Sequence, residues 1–157
     1  MNKYITAILV AISATELQAQ TLSPAPKLVV NITIDQLRSD YIEAFAPLYT
    51  ENGFRKLLKQ GRIFENASYS FTPVERASAI ATIVTGANPS DHGIVGNQWL
   101  SRKTLQPIGC DEDSQYGYSP KNIISTTIGD ELKIATEGQA VVYSVAPYHD
   151  AAILSAG

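Results

Sequence analysis

Lys27–Asp35 reads KLVVNITID, an almost unbroken apolar run, rich in β-branched residues, that closes on a carboxylate. A strand with one wet face alternates apolar and polar positions. A run without that alternation predicts a strand covered on both faces, as in a parallel sheet flanked by helices. Downstream, Asn52–Gln60 sets Phe54, Leu57 and Leu58 at i, i+3 and i+4 with basic residues between them, the pattern of an amphipathic helix. Gly61 is expected as its left-handed terminator. Arg62–Tyr69 alternates enough for a second strand. Ala77–Thr85 is small, apolar and closed by Gly86. Periodicity alone leaves strand or helix open there, and its small residues favour a helix packed closely on the sheet.

The remaining segments complete the pattern. Ala87–Asn97 reads as a loop, Gln98–Cys110 as a hairpin or an excursion over a sheet edge, and Asp111–Tyr118 as an exposed acidic stretch. Ser119-Pro120 is expected to open a short helix, with Pro at its first position. Thr127–Ala135 reads as a helix broken at Gly138, Gln139–Ala146 as a strand and His149–Leu154 as a short helix. Strand and helix alternation of this kind predicts an α/β class fold.

Composition narrows the function. Ahead of the first strand, Lys3 precedes the apolar span Tyr4–Ala14, and Leu17-Gln18-Ala19 follows it. Charged region, short apolar region and small-residue site in that order predict a signal peptide over residues 1–19 and an exported protein, periplasmic or extracellular. The apolar span is about half the roughly 20 residues a membrane helix needs, so no membrane span is expected. Residues 20–26, with two prolines, read as a linker before a domain over 27–157. The 157 residues carry a net charge of −3 without a Lys/Arg run, which argues against a nucleic-acid partner. A single cysteine excludes an internal disulfide, and Cys110 has no histidine near it in sequence to activate it. Trp99 is expected to anchor a loop by packing.

Four stretches together carry a resemblance. They are the strand ending Asp35-Gln36-Leu37-Arg38, Gly53-Phe54 before the basic helix, Ile83-Val84-Thr85-Gly86 with His92-Gly93-Ile94-Val95-Gly96-Asn97, and Ile153-Leu154-Ser155-Ala156-Gly157. From Lys27 to Gly157 the chain resembles the N-terminal part of the alkaline phosphatase superfamily. The nearest branch is the secreted bacterial alkaline phosphatases that are similar to type I phosphodiesterases. The resemblance implies an alkaline-phosphatase-like three-layer sandwich, a mostly parallel sheet with helices on both faces, incomplete in this chain. It also implies phosphate-ester hydrolysis at a two-zinc centre, where the metals bracket the phosphoryl group.

Residue by residue, the resemblance puts Asp35 in the slot of the first zinc ligand. Asn97 falls on the asparagine that donates to the substrate phosphate. The nucleophile slot, a threonine or serine in the family, is Arg76 here. A guanidinium stays protonated and has no lone pair to offer a phosphorus atom. It can instead bind a carboxylate or phosphate, and pairing with Asp35 is the expectation. Ser78 lies about 200° round a helix from Arg76 and points away, and Thr72 reaches the site only by a loop rearrangement. The Lys-x-Arg pair that holds phosphoryl oxygens in the similar monoesterases is Tyr148 and Asp150 here, with His149 between. An acidic group there repels a phosphate dianion.

The sequence therefore predicts an exported, alkaline-phosphatase-like protein that is catalytically degenerate and keeps a binding role, with a phosphate ester or other anionic ligand at Arg76. Two alternatives stand beside it. One is an active zinc-dependent phosphoesterase with a non-standard nucleophile and downstream metal ligands. The other is a small stand-alone periplasmic α/β domain.

Overall fold

Leu28–Ile34 enters no strand ladder, and its apolar side chains are exposed, Leu28 and Ile32 among the most. This computed structural model describes residues 25–157. The expected signal peptide and most of the expected linker lie outside those residues.

The order of elements is α1 (Ser39–Ala44), a 3-10 turn (Ala46–Leu48), α2 (Phe54–Gln60), α3 (Arg76–Thr85) and α4 (Pro89–His92). Next come β1 (Gln98–Leu100), β2 (Pro107–Gly109), β3 (Glu112–Asp113) and β4 (Gly117–Tyr118), then α5 (Ile128–Ala135) and α6 (His149–Ala156). β1 pairs antiparallel with β2, Trp99 opposite Ile108, and β3 pairs antiparallel with β4. The expected strands at 27–35, 62–69 and 139–146 are not in these sheets. A strand is defined by its neighbour, and these segments do not pair with one another. Residues 139–146 still keep a strand's character. Ala140, Val142, Ser144 and Ala146 are half-buried, while Val141, Tyr143 and Val145 face out.

The core is made by α3 and α6. On α3, Ala77, Ile80, Ala81 and Val84 are buried, the i, i+3, i+4, i+7 stripe of an amphipathic helix. Ala77 and Ala81 let α6 approach, and Ala151 and Leu154 of α6 fill the contact with Ile94 and Cys110. Trp99 packs on this cluster, as an anchor should. Gly86 ends α3 in the left-handed conformation at φ 69°, which a β-carbon would disfavour. Gly61 differs from the expectation: it ends α2 in an extended conformation, so no left-handed cap forms there.

Three local readings change. The loop before Asn97 contains the one-turn helix α4, started by Pro89. Ser119-Pro120 makes a turn closed by Ile123 N–H to Pro120 O rather than a helix. Asp111–Tyr118 folds into the β3–β4 hairpin with Asp111 and Asp113 buried, because their carboxylates are spent on local donors and on a histidine. α5 begins as its sequence predicts: Thr127 Oγ1 accepts the Asp130 N–H, and Asp130 accepts the Thr127 N–H in return.

Candidate functional site

Packing α3 on α6 brings their first turns together, and the site is built there. Arg76 is the first residue of α3 and Asp150 the second of α6. Arg76 donates to Asp150 Oδ2 from Nη2 at 2.7 Å and from Nε at 3.1 Å. Asp150 is buried, and its other oxygen accepts the Ala151 N–H at 2.8 Å. The guanidinium lies 4.3 Å from the centre of the Tyr148 ring, within cation–π range. Bonding to Asp150 holds the Arg76 guanidinium above its ordinary value, so it is a fixed positive charge.

The expected Arg76–Asp35 pair does not form. Asp35 sits in an exposed turn after the unpaired Leu28–Ile34 segment, whereas Asp150 is delivered to Arg76 by helix packing. Asn97 does share the cleft with Arg76. Its Oδ1 accepts the Ala77 N–H at 3.0 Å, and its own N–H donates to Glu75 at 2.6 Å. These bonds fix the amide so that Nδ2 is the end left for another acceptor. Ser78 is buried and bonded to Glu75, so it cannot act as a nucleophile in the cleft.

The cleft is open and has a volume of about 660 Å³. The β3–β4 hairpin forms its far wall. There Asp113 accepts hydrogen bonds from Ser119 and from the Gln115 and Tyr116 N–H groups, which push its carboxyl down to about 2. Burial pushes the Cys110 thiol up to about 11, helped by the charge of Asp111, so Cys110 is inert as expected. Asp111 meets His149, Nδ1 to Oδ2 at 2.6 Å, and Tyr118 stacks on the imidazole at 4.3 Å. Sequence reading missed this pair. Its members are 38 residues apart, and nothing in their local patterns connects them. His92, the other histidine, is wholly buried: Nδ1 accepts the Ile94 N–H and Nε2 meets Thr82 Oγ1 at 3.0 Å.

A zinc site takes three or four protein donors. Among the described residues no three His, Cys, Asp or Glu side chains converge in a way that could hold a metal ion. Asp35 stands by itself, and Asp150, Asp111 and Asp113 are committed to other partners. The donor set within these residues does not fit a zinc pair. No described helix is long and apolar enough to cross a membrane.

Residues 29–150 match the family of type I phosphodiesterases and nucleotide pyrophosphatases, and the chain belongs to that family. The chain is 34% identical to alkaline phosphatase PafA of Elizabethkingia meningoseptica, over 99% of this chain and 31% of that protein. It is 38% identical to alkaline phosphatase PhoV of Synechococcus elongatus, over 84% of this chain and 26% of that protein. The crystal structure of PafA superposes with a TM-score of 0.81 over 86% of this chain and 28% of its own. The chain thus carries part of the alkaline-phosphatase fold and spans less than a third of these relatives. A second PafA structure carries substitutions at a threonine, an asparagine, a lysine and an arginine.

Proposed function

We propose that this chain is a divergent, exported member of its family that has lost phosphoryl transfer and retains a binding role. The observation that carries the reading is the Arg76–Asp150 pair. In the family the nucleophile slot offers a hydroxyl oxygen, and here it offers a protonated guanidinium closed by a carboxylate of the same chain. Asp150 stands where an oxyanion ligand of Arg76 would sit, so the anion expected at Arg76 is supplied internally. The frame has support from PafA. The threonine and asparagine substituted in its variant have the same sequence separation as Arg76 and Asn97, and its lysine and arginine the same separation as Tyr148 and Asp150.

The zinc chemistry of the family enters only as what a bound pair would supply, bracketing of a phosphoryl group. The resemblance offers Asp35 as a candidate ligand. The test is turnover of p-nitrophenyl phosphate and bis(p-nitrophenyl) phosphate by the purified polypeptide in zinc-containing buffer. The reading predicts rates equal to buffer. Turnover that vanishes on chelation supports instead an active zinc phosphoesterase with a non-standard nucleophile, a reading favoured by the open amide of Asn97. Export rests on the leader-like residues 1–19, and cleavage after Ala19 in the secreted product tests it.

A further inference from the structure

His149 and Asp111 form a second arrangement in the cleft, separate from the Arg76 pair. Asp111 is buried, and its backbone carbonyl accepts the Ser119 N–H at 2.8 Å, so its carboxylate is held by the hairpin. A neutral imidazole bonded to a carboxylate through Nδ1 keeps its proton there and presents the Nε2 lone pair outward. The His149 side chain is 58% exposed, and among the described residues its Nε2 makes no hydrogen bond. Tyr118 holds the ring from its face. Base, orienting carboxylate and a polar donor, the Asn97 amide, line one cleft. That is the logic of an activated nucleophile, in which a third group orients the base. In the same walls Arg76 is matched by Asp150, and Lys121 lies 3.5 Å from Asp113, so Glu112 and Asp111 are left as negative charges without a Lys or Arg partner among the described residues. Such a cleft repels anions and admits uncharged ligands.

We propose that His149 and Asp111 are an acyl-accepting dyad for uncharged esters and anhydrides. Nε2 attacks the carbonyl carbon, and the N–C bond forms as the C–O bond to the leaving group breaks. The Nδ1 proton passes through Asp111 and solvent to the departing oxygen, leaving a neutral acylimidazole. Water then cleaves the acylimidazole to the acid and returns the proton to His149. Asn97 Nδ2 is the donor available to the carbonyl oxygen. This activity is independent of phosphoryl transfer and stands whether or not the zinc chemistry survives.

The test treats the whole chain with diethyl pyrocarbonate and with p-nitrophenyl acetate, and maps the adduct by peptide mass spectrometry. The chain has two histidines, and His92 is buried with both nitrogens engaged, so one imidazole adduct is expected, at His149. The dyad predicts reaction at His149 about tenfold faster than at N-acetylhistidine at the same pH, and a similar loss in Asp111→Asn. His149→Gln removes the adduct and the p-nitrophenol release. Circular dichroism establishes that Asp111→Asn is folded, and should it unfold, the comparison with N-acetylhistidine decides alone. A His149 rate equal to N-acetylhistidine, or a folded Asp111→Asn as fast as the parent, overturns the proposal.

Discussion

Arg76 and Asp150 are unequal partners, because Arg76 is 32% exposed at its side chain and Asp150 only 7%. Removing Arg76 strands a buried carboxylate, whereas removing Asp150 frees a guanidinium that can reach water. Arg76→Ala is therefore expected to cost about 2 kcal/mol, more than Asp150→Ala, and a double-mutant cycle in urea should show their coupling. A coupling near zero contradicts the tie. His92 sets a pH limit. Burial lowers its pKa, so the folded chain holds it neutral while the unfolded chain takes up a proton below the ordinary value of about 6.5. Stability from this residue is complete above that value and falls as the pH drops below it. Urea midpoints at several pH values should show the loss, and His92→Gln should flatten it. Asp113 acts at lower pH. Its carboxyl is pushed down to about 2, so its contribution is present above its ordinary value and is lost as pH falls through about 2.

The elements whose signals are local were legible in the sequence. Small residues ending at Gly86 mark α3, and Thr127–Ala135 reads as a helix where α5 forms, its start fixed by the Thr127–Asp130 cap. The β1–β2 hairpin was one of two readings of Gln98–Cys110. The three expected strands do not pair within the described residues, because pairing depends on a neighbour that an apolar run cannot specify. Acidic composition predicts an exposed stretch where the β3–β4 hairpin instead buries Asp111 and Asp113. Their burial follows from donors such as Ser119 and His149. Helix α3 rests on α6 through Leu154, which is wholly buried. Leu154→Ala is expected to cost about 3 kcal/mol, and thermal unfolding checks it. Of the candidate site residues, Arg76 and Asn97 meet in the cleft and Asp35 does not. Proximity of helix starts is a packing fact that spacing did not contain.

Across the molecule, the segments outside the sheets leave apolar side chains in water: Leu28 at 78% exposure, Ile32 at 74% and Val145 at 98%. Exposed apolar side chains of this kind offer purchase to apolar probes. A fluorescent hydrophobic dye is expected to bind the folded chain at neutral pH, and Val145→Lys to weaken that binding. The match to PafA shows the same chain path within a protein more than three times as long, so the fold reads as part of a larger α/β layer. On the function proposed above, a guanidinium closed by Asp150 takes the place of the hydroxyl that would accept a phosphoryl group. The most direct measurement is p-nitrophenyl phosphate turnover by the polypeptide carrying this sequence, in zinc, with and without chelator. No turnover is expected under either condition. Zinc-dependent hydrolysis that persists with Arg76 intact contradicts the proposed function.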